Sequence, residues 1–355
     1  MDSRPNRSAA GLALASAILF GASTPLAKLL LGDGVAPWLL AGLLYMGSGV
    51  GLSLILLARR GLKLPAGEAP LRAADLPWLA LVVAAGGVAG PVLLMIGLAH
   101  TTASSAALLL NLEGLATMAI AWLVFRENVD RRLLLGAAAI LAGAVLLSWQ
   151  AGPHELSLGA LAIAGACLAW GADNNLTRKL SSADPLQITA IKGVAAGAVN
   201  LVISIGMGAH LPGAGVTASA MVIGFFGYGV SVVLFVLALR GLGAARTGAY
   251  FSTAPFLGAV LGVALLHDRV TALLLVAGAL MALGVWLHLS EQHAHEHAHE
   301  ALEHEHRHVH DAHHQHAHGP DDPPGEPHSH RHRHEPLTHS HPHYPDLHHR
   351  HGHAA

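Results

Sequence analysis

Residues 114–127 read GLATMAIAWLVFRE, and residues 255–268 read PFLGAVLGVALLHD. Each is a long apolar run that closes on an acidic residue, and the separation along the chain from Gly114 to Pro255 equals that from Glu127 to Asp268. We call this separation the repeat offset. It continues downstream in Val129 and Val270, Leu133 and Leu274, Leu134 and Leu275, and Gly143 and Gly284. A shared register over this length indicates an internal repeat, so the chain is predicted to consist of two related halves.

The composition places this repeat in a membrane. Of the 355 residues, 53% are apolar and only 12% are charged, which excludes an ordinary soluble domain. A helix needs about 20 mainly apolar residues to cross the hydrocarbon core, where open backbone would leave amides unsatisfied. Ten runs of this kind are present, at Ala9–Leu31, Ala36–Ala58, Pro77–Ala99, Ser104–Phe125, Leu133–Gln150, Leu156–Leu176, Leu186–Met207, Thr217–Leu239, Ala244–Leu266 and Val270–Leu289.

The basic residues predict the orientation of these spans, because cytoplasmic loops carry an excess of Lys and Arg. They occupy alternate gaps: Arg4 and Arg7, then Arg59, Arg60, Lys63 and Arg72, then Arg126, Arg131 and Arg132, then Arg178 and Lys179, then Arg240 and Arg246. The opposite gaps hold almost none, with Arg269 as the exception, so both termini are predicted to be cytoplasmic. Five spans per half is an odd number, which forces the halves into opposite orientations. Inverted repeats of this kind are the architecture of alternating-access carriers.

Two segments carry a family resemblance. Residues 103–115, ASSAALLLNLEGL, with the closing Phe125-Arg126-Glu127, resemble the first repeat of the drug/metabolite transporter superfamily, EamA type. Residues 240–251, RGLGAARTGAYF, followed by Pro255, resemble the second repeat more closely. The family usually has proline where this chain has Gly114. The resemblance covers residues 9–289 and implies a membrane transporter, with export as its direction.

An ionisable group inside an apolar span costs several kcal/mol unless it faces a partner or a wet cavity. Glu113 lies near the middle of the fourth span, beside Asn111. One interpretation makes it a proton-coupling carboxylate or a ligand for a cationic group; the other makes it a structural ion pair or a neutral, hydrogen-bonded carboxyl. Lys192, in the seventh span, is the candidate partner of Glu113 or of an anionic substrate, although a lysine at that depth can also snorkel.

The sixth span ends in Trp170-Gly-Ala-Asp-Asn-Asn-Leu-Thr. These polar groups can line the inner mouth of a cavity, with Trp170 and Asn174 as candidate substrate contacts. Alternatively, they cap the helix end or meet water, and Trp170 is an interfacial anchor. The sequence leaves both interpretations open.

The ninth span contains Tyr250 and Ser252 just before Pro255. Proline leaves a carbonyl free to face polar contents, and a discontinuous helix at mid-membrane is a common way to build a binding site. The matching part of the fourth span holds Asn111 and Glu113. Both halves therefore place polar or helix-weakening residues at equivalent depths, which is the main indication of where a substrate binds.

Several function classes find no support in the sequence. It has no GxSxG, HExxH or P-loop motif and no GxGxxG in a strand–helix context, so neither an enzyme nor a required cofactor is predicted. Cys167 is the only cysteine, which excludes intramolecular disulfides and thiolate zinc sites. No basic face for nucleic acid is present.

Residues 290–355 form a tail that holds 23 of the 28 histidines, with several prolines and few apolar residues. Such a segment cannot bury a core and is predicted to be disordered. Neutral imidazoles bind Zn, Ni, Co or Cu. The candidate ligands are His293, His295, His297, His299, His304, His306, His308, His310, His328, His330, His332, His334, His351 and His353. The alternative is an incidental low-complexity expansion, and the composition is weaker evidence that metal is the cargo.

We therefore expect an all-α integral membrane protein with a first repeat at residues 1–150, a second at residues 151–289 and a disordered tail at residues 290–355. The expected function is secondary export of a small metabolite, such as an amino acid or a drug-like amphiphile, with proton coupling through Glu113 and a metal-binding regulatory tail. A divalent-metal (Ni, Co or Zn) efflux permease and a non-transporting metal sensor are the alternatives. The expected location is the bacterial inner membrane. The expected partners are the bilayer, the substrate and metal ions, for a monomer or homodimer.

Overall fold

The computed structural model describes residues 7–62, 71–125, 131–148, 157–177, 180, 184–242, 244–289, 293–299, 302–308, 328–334 and 337–343. Up to residue 289, every regular element in these ranges is a helix. The α-helices are α1 Arg7–Gly32, α2 Pro37–Gly61, α3 Leu76–Val82, α4 Gly90–Ala99, α5 Ala103–Leu109, α6 Leu112–Phe125, α7 Arg131–Ser148, α8 Leu158–Thr177, α9 Pro185–Gly206, α10 Ala214–Gly224, α11 Ser231–Leu242, α12 Ala244–Phe251, α13 Ala254–Leu266 and α14 Ala272–Leu289. A 3-10 turn, Ala73–Asp75, precedes α3, and π-helical segments join α3 to α4 (Val83–Ala89) and α10 to α11 (Phe225–Val230).

Eight helical stretches among the described residues are long and apolar enough to cross a membrane. They are Ala9–Gly32, Pro37–Gly61, Ala73–Ala99, Ala103–Val124, Arg131–Ser148, Pro185–Gly206, Ala214–Ala238 and Ala272–Leu289. The sixth predicted span forms the 20-residue helix α8, whose polar last turns make it less apolar than these eight. The ninth is divided into α12 and α13. Large apolar side chains such as Leu123 and Val202 remain more than 70% exposed, as lipid contact requires.

The fourth predicted span is interrupted between α5 and α6, at Leu110 and Asn111. An interruption leaves carbonyl groups of the preceding turn without helical donors. The Asn111 side-chain amide donates to the Leu108 carbonyl at 2.8 Å, and the Cys167 thiol donates to the Leu109 carbonyl at 3.7 Å. Side chains therefore stabilise this break without a proline.

The ninth predicted span is interrupted in a similar way, at Ser252 and Thr253. The Thr253 hydroxyl donates to the Tyr250 carbonyl at 2.6 Å. Pro255 lies in the first turn of α13, where a missing N–H removes no helical hydrogen bond. The separation between the two interruptions agrees with the repeat offset to within a single position.

The two π-helical segments also occupy matching positions. Gly86 in the first and Gly227 in the second are separated by the repeat offset itself, and the segments begin at positions that match to within a single residue. Single π-helical turns are rare and occur frequently at functional sites. The residues that pack against these two segments are therefore candidates for a functional site.

Glycines allow the closest helix pairs to approach. A Cβ on Gly193 of α9 would lie 2.6 Å from the Gly49 Cα of α2, and a Cβ on Gly284 of α14 would lie 2.6 Å from the Gly136 carbonyl oxygen of α7. Both separations are shorter than any real Cβ contact. Backbone-to-backbone packing through small residues is the usual way for membrane helices to associate.

The histidine-rich tail contributes four described strands, β1 His293–His299, β2 Leu302–His308, β3 His328–His334 and β4 Leu337–His343. β1 pairs antiparallel with β4, and β2 pairs antiparallel with β3. A two-residue alternation has the period of a strand, and paired strands satisfy each other's amides. The disorder predicted for residues 290–355 stays a prediction. The predicted metal ligands His310, His351 and His353 lie outside the described residues.

Candidate functional site

Polar side chains from three helices meet inside the membrane-spanning part of the chain. We name the following six residues the polar cluster: Glu113 and Thr117 of α6, Asp173, Asn174 and Asn175 of α8, and Lys192 of α9. Successive residues of a helix point about 100° apart, so the three consecutive polar residues of α8 reach different neighbours. α8 can lie close to α6 because Gly171 has no side chain; a Cβ there would be 2.9 Å from Ala116.

Glu113 and Asn174 are hydrogen-bonded across the α6–α8 contact. The Asn174 side-chain amide donates to Glu113 Oε1 at 3.0 Å and to the Thr117 hydroxyl at 3.1 Å. The Thr117 hydroxyl in turn donates to the Glu113 main-chain carbonyl at 2.9 Å. Glu113 is partly buried and Asn174 is exposed. The carboxylate is thus held in place by a neutral amide and can still be reached.

Asn175 joins the same two helices from the buried side. Its side-chain amide donates to the Thr117 carbonyl at 3.1 Å and to the Gly171 carbonyl at 2.8 Å. Its buried Oδ1 has no hydrogen-bond partner among the described residues. A buried unpaired acceptor costs about 1–3 kcal/mol, so Asn175 holds α6 and α8 together while keeping one acceptor available.

Asp173 forms an ion pair with Lys192. Asp173 is 5% exposed, so its charge is largely removed from solvent and depends on this partner. The pair lies against Gly86 of the first π-helical segment, where a Cβ would collide with the Asp173 carboxylate. Glycine at position 86 is therefore required for the ion pair to fit.

The first π-helical segment exposes two carbonyl groups to this site. The Gly90 N–H donates to the Ala85 carbonyl, and Pro91 has no N–H, so the Gly86 carbonyl loses both of its possible helical donors. It instead accepts from the Tyr45 hydroxyl at 2.7 Å and the Trp170 indole N–H at 3.0 Å. Proline and a π-helical turn together convert a helical carbonyl into an anchor for two aromatic side chains.

The Gly87 carbonyl loses its α-helical donor to the same proline, because Pro91 occupies its i+4 position. The buried Asn200 side-chain amide donates to it at 3.0 Å. Asn200 Oδ1 then accepts from the Trp38 indole N–H at 3.1 Å. This chain of hydrogen bonds ties α2 and α9 to the π-helical segment.

Aromatic rings border the polar cluster. We name Phe20, Tyr45, Tyr228 and Phe251 the aromatic cluster. The ring centroids of Tyr45 and Tyr228 are 5.6 Å apart, those of Phe20 and Tyr228 are 6.0 Å apart, and those of Phe20 and Phe251 are 5.3 Å apart. Since Phe251 is the last residue of α12, the rings connect the break in the ninth span to the first π-helical segment.

The structure brings together four of the eight residues that the sequence proposed for substrate binding. Glu113, Asn174 and Lys192 belong to the polar cluster, and Trp170 anchors the π-helical segment beside it. Tyr250, Ser252 and Pro255 lie at the other break, beside Phe251. Asn111 is buried and directed elsewhere, because its amide binds Leu108 and lies 3.9 Å from Met281 Sδ of α14.

One predicted contact needs correction. The sequence offered Glu113 as a partner of Lys192, but the structure pairs Lys192 with Asp173. Lys28, for which the sequence carried no site prediction, donates to the Leu98 carbonyl at the end of α4. Both lysines are thus held by described groups of the chain.

Several site residues were missed by the sequence analysis. Thr117, Tyr45 and Tyr228 are ordinary residues of apolar spans until their neighbours are known. Pro91 was a detectable signal, because a proline within a span frees the carbonyl four residues earlier. Among the described residues, no group of three or more His, Cys, Asp or Glu side chains is arranged to hold a metal ion.

The apolar helices and the enclosed polar cluster define a multi-pass α-helical membrane protein. The EamA-like transporter family matches residues 7–149 and, a second time, residues 157–290. The chain therefore belongs to the EamA-like transporter family, and it is a membrane transporter. The family predicted from residues 103–127 and 240–258 is confirmed.

Two comparisons with individual proteins agree with this assignment. A protein of Methanothermobacter thermautotrophicus described as an uncharacterized transporter is 30% identical over 229 residues, which cover 62% of this chain and 66% of that protein. One chain solved by crystallography is similar with a TM-score of 0.57 at 22% identity, over 79% of this chain and 95% of the other. This second likeness concerns the fold alone.

Proposed function

We propose that this protein is a secondary carrier made of two inverted five-helix repeats that cross the membrane ten times. The family matches the chain twice, and the helix breaks and the π-helical segments recur at the repeat offset to within a single position. Helix contacts recur as well: a Cβ on Gly171 would meet Ala116 of α6 at 2.9 Å, and a Cβ on Gly258 of α13 would meet the Gly21 carbonyl of α1 at 2.8 Å. Equivalent helices thus make equivalent contacts in the two halves.

The proposed orientation has both termini in the cytoplasm of a bacterial cell, with the protein in the inner membrane. The alternation of basic residues between gaps supports it. Fusing a reporter active only outside the cytoplasm to the loop before α8 and to the chain end tests this topology. Activity of the loop fusion alone is expected, and activity of the terminal fusion would contradict an even number of crossings.

Transport in this proposal depends on the Glu113 carboxylate. A carboxylate that lies inside a span, is fixed by an amide and is still accessible can bind either a proton or a substrate group. Because the two compete for the same carboxylate, the movement of the substrate across the membrane is coupled to that of the proton. The observation that carries the proposal is the position of Glu113 beside the break in the fourth span, with Asn174 as its hydrogen-bond donor. The proposed cargo is a small metabolite, an amino acid or an amphiphile, which is exported.

Glu113→Gln is expected to abolish transport driven by a pH gradient while the protein stays folded, because glutamine keeps the shape and the Asn174 contact but cannot exchange a proton. The cargo is first sought by comparing metabolites secreted by cells with and without the protein. Its flux is then measured in liposomes with an imposed gradient, and a loss of at least about a hundredfold is expected, on the scale of general acid–base contributions.

Asp33→Asn is the matched control, because Asp33 is an exposed carboxylate outside the cluster. It should transport like the parent protein. Gradient-driven flux of Glu113→Gln equal to that of the control would overturn the role assigned to Glu113.

We further propose that the tail binds divalent metal ions and regulates the carrier. The backbone register that places His293 opposite His343 and His304 opposite His332 supports a set of closely spaced histidines. Removing residues 290–355 is expected to lower Zn²⁺ or Ni²⁺ binding at least about tenfold, since imidazole is the principal ligand available. Calorimetry on the purified protein measures the binding.

A full-length variant with every tail histidine changed to glutamine controls for the loss of chain length. Metabolite flux should survive both changes, because the residues of the polar cluster lie outside the tail. If truncation instead abolishes metal tolerance of the cell and metal flux, the protein is a metal efflux permease. Metal binding with no flux of any solute would identify a sensor.

A further inference from the structure

The charges of the polar cluster do not balance. It contains two acids, Glu113 and Asp173, and one base, Lys192, which is engaged by Asp173. Within the part of the chain that the structure describes, no basic side chain lies at ion-pair distance from Glu113. When all three groups are ionised, the cluster therefore carries one uncompensated negative charge, at Glu113.

The Glu113 carboxylate also has free hydrogen-bonding capacity. An ionised carboxylate has about four acceptor positions, and Asn174 fills one of them. The Thr117 hydroxyl is directed to the main-chain carbonyl of Glu113 and not to its carboxylate. The remaining acceptors match a group with several N–H donors and a positive charge.

Space for such a group lies next to this carboxylate. Gly114 is exposed although it belongs to an apolar span, and a Cβ built on it would meet no atom within 4 Å. Asn174 is exposed on the facing helix. Gly114 and Asn174 therefore leave the surface beside Glu113 uncovered, and a ligand can approach the carboxylate there.

Aromatic side chains lie beside the other acid of the cluster. Tyr45 and Trp170 both donate to the Gly86 carbonyl, and Gly86 lies against the Asp173 carboxylate. Aromatic faces attract cations and accommodate apolar groups. An acidic cluster bordered by aromatic rings suits a cation with an apolar body better than an anion.

We propose that the cargo is an organic cation whose ammonium group is bound by Glu113 and Asn174 at the open face of Gly114. The proposal rests on the carrier function above and specifies its substrate class. An anionic cargo would meet the uncompensated charge of Glu113. A zwitterionic amino acid would also need a cation for its carboxylate, and Lys192 is already held by Asp173.

Three small probes of matched size test this assignment: phenethylamine, a cation at neutral pH; 3-phenylpropionate, an anion; and phenylalanine, a zwitterion. Binding of each to the purified full-length protein is measured by calorimetry. Phenethylamine is expected to bind at least about tenfold more tightly than either competitor, and Glu113→Gln to remove that preference; tenfold corresponds to about 1.4 kcal/mol. Glu113→Asp should restore part of it, and Asp33→Asn should leave it unchanged.

The outcomes separate the substrate class from the carrier function. Equal binding of the three probes, tighter binding of phenylpropionate or phenylalanine, or a preference that survives in Glu113→Gln overturns the cationic assignment, even if the protein transports another solute. A Glu113-dependent preference for phenethylamine supports the assignment, even if liposomes show no flux and the carrier function fails. Helical content measured by circular dichroism confirms that each variant is folded.

Discussion

Lys192→Met is expected to destabilise the protein by about 3–5 kcal/mol, the usual cost of removing one partner of a buried ion pair. Methionine fills a similar volume, so the loss comes from the charge and not from a cavity. Asp173 is 5% exposed, and it would then either keep an unpaired charge or take up a proton, both at a cost in free energy. The apparent melting temperature in detergent measures the effect.

A double variant distinguishes the cost of leaving Asp173 unpaired from the cost of removing the lysine itself. In Lys192→Met combined with Asp173→Asn no charge is left unpaired, so the double variant should be more stable than Lys192→Met alone. Asp33→Asn removes an exposed charge and should stay within about 0.5 kcal/mol of the parent, as for most surface substitutions. A Lys192→Met protein as stable as the parent would mean that Lys192 is free, and its charge would then be available to a substrate.

Apolar run length predicted helices that can cross a membrane, of which the described residues contain eight, because the cost of an unsatisfied amide in lipid leaves few alternatives to a helix. Pro255 predicted the interruption in the ninth span correctly, since a proline inside a helix removes one backbone hydrogen bond and collides with the preceding turn. The break in the fourth span depended on Asn111, whose amide satisfies the Leu108 carbonyl. A side chain that can make that bond can also point elsewhere, so the sequence alone could not assign it.

The contacts between residues of the site were harder to predict than the position of the site across the membrane. Position along a helix follows from residue number, but the direction of a side chain around the axis depends on how the helices pack. Asp173, Asn174 and Asn175 are consecutive, yet they reach Lys192, Glu113 and the Thr117 carbonyl respectively. The sequence therefore located Glu113 and Lys192 in one site and still suggested the wrong contact between them.

In the tail, two sequence signals predict different structures. Its composition predicted disorder because it has too few apolar residues to form a core, while its two-residue alternation is compatible with strands. The two signals conflict, and the structure describes strands in the segments where the alternation is most regular. Metal binding by the tail depends on its imidazole groups and is tested by the calorimetry of the truncated protein.

Gly193→Leu is expected to separate α2 from α9 and to destabilise the protein by about 3 kcal/mol or more, at the upper end of overpacking effects. A Cβ at this position would lie 2.6 Å from the Gly49 Cα and 3.0 Å from the Tyr45 carbonyl oxygen. Both are backbone atoms, so no rotamer change can relieve the collision. Helix movement would also displace Tyr45 and Lys192, which lie on these two helices and belong to the site.

Gly11→Leu is the matched control, because a Cβ at Gly11 of α1 meets no atom within 4 Å. The same change should leave stability unchanged or slightly improved there, since glycine weakens a helix interior. Size-exclusion profiles and melting temperatures of the two variants in one detergent give the comparison. Equal stability of Gly193→Leu and Gly11→Leu would contradict the close contact between α2 and α9. It would also contradict the packing that places Tyr45 of α2 and Lys192 of α9 beside the first π-helical segment. If Gly193→Leu unfolds completely, Gly193→Ala, which adds only the Cβ, should show the same loss to a smaller extent.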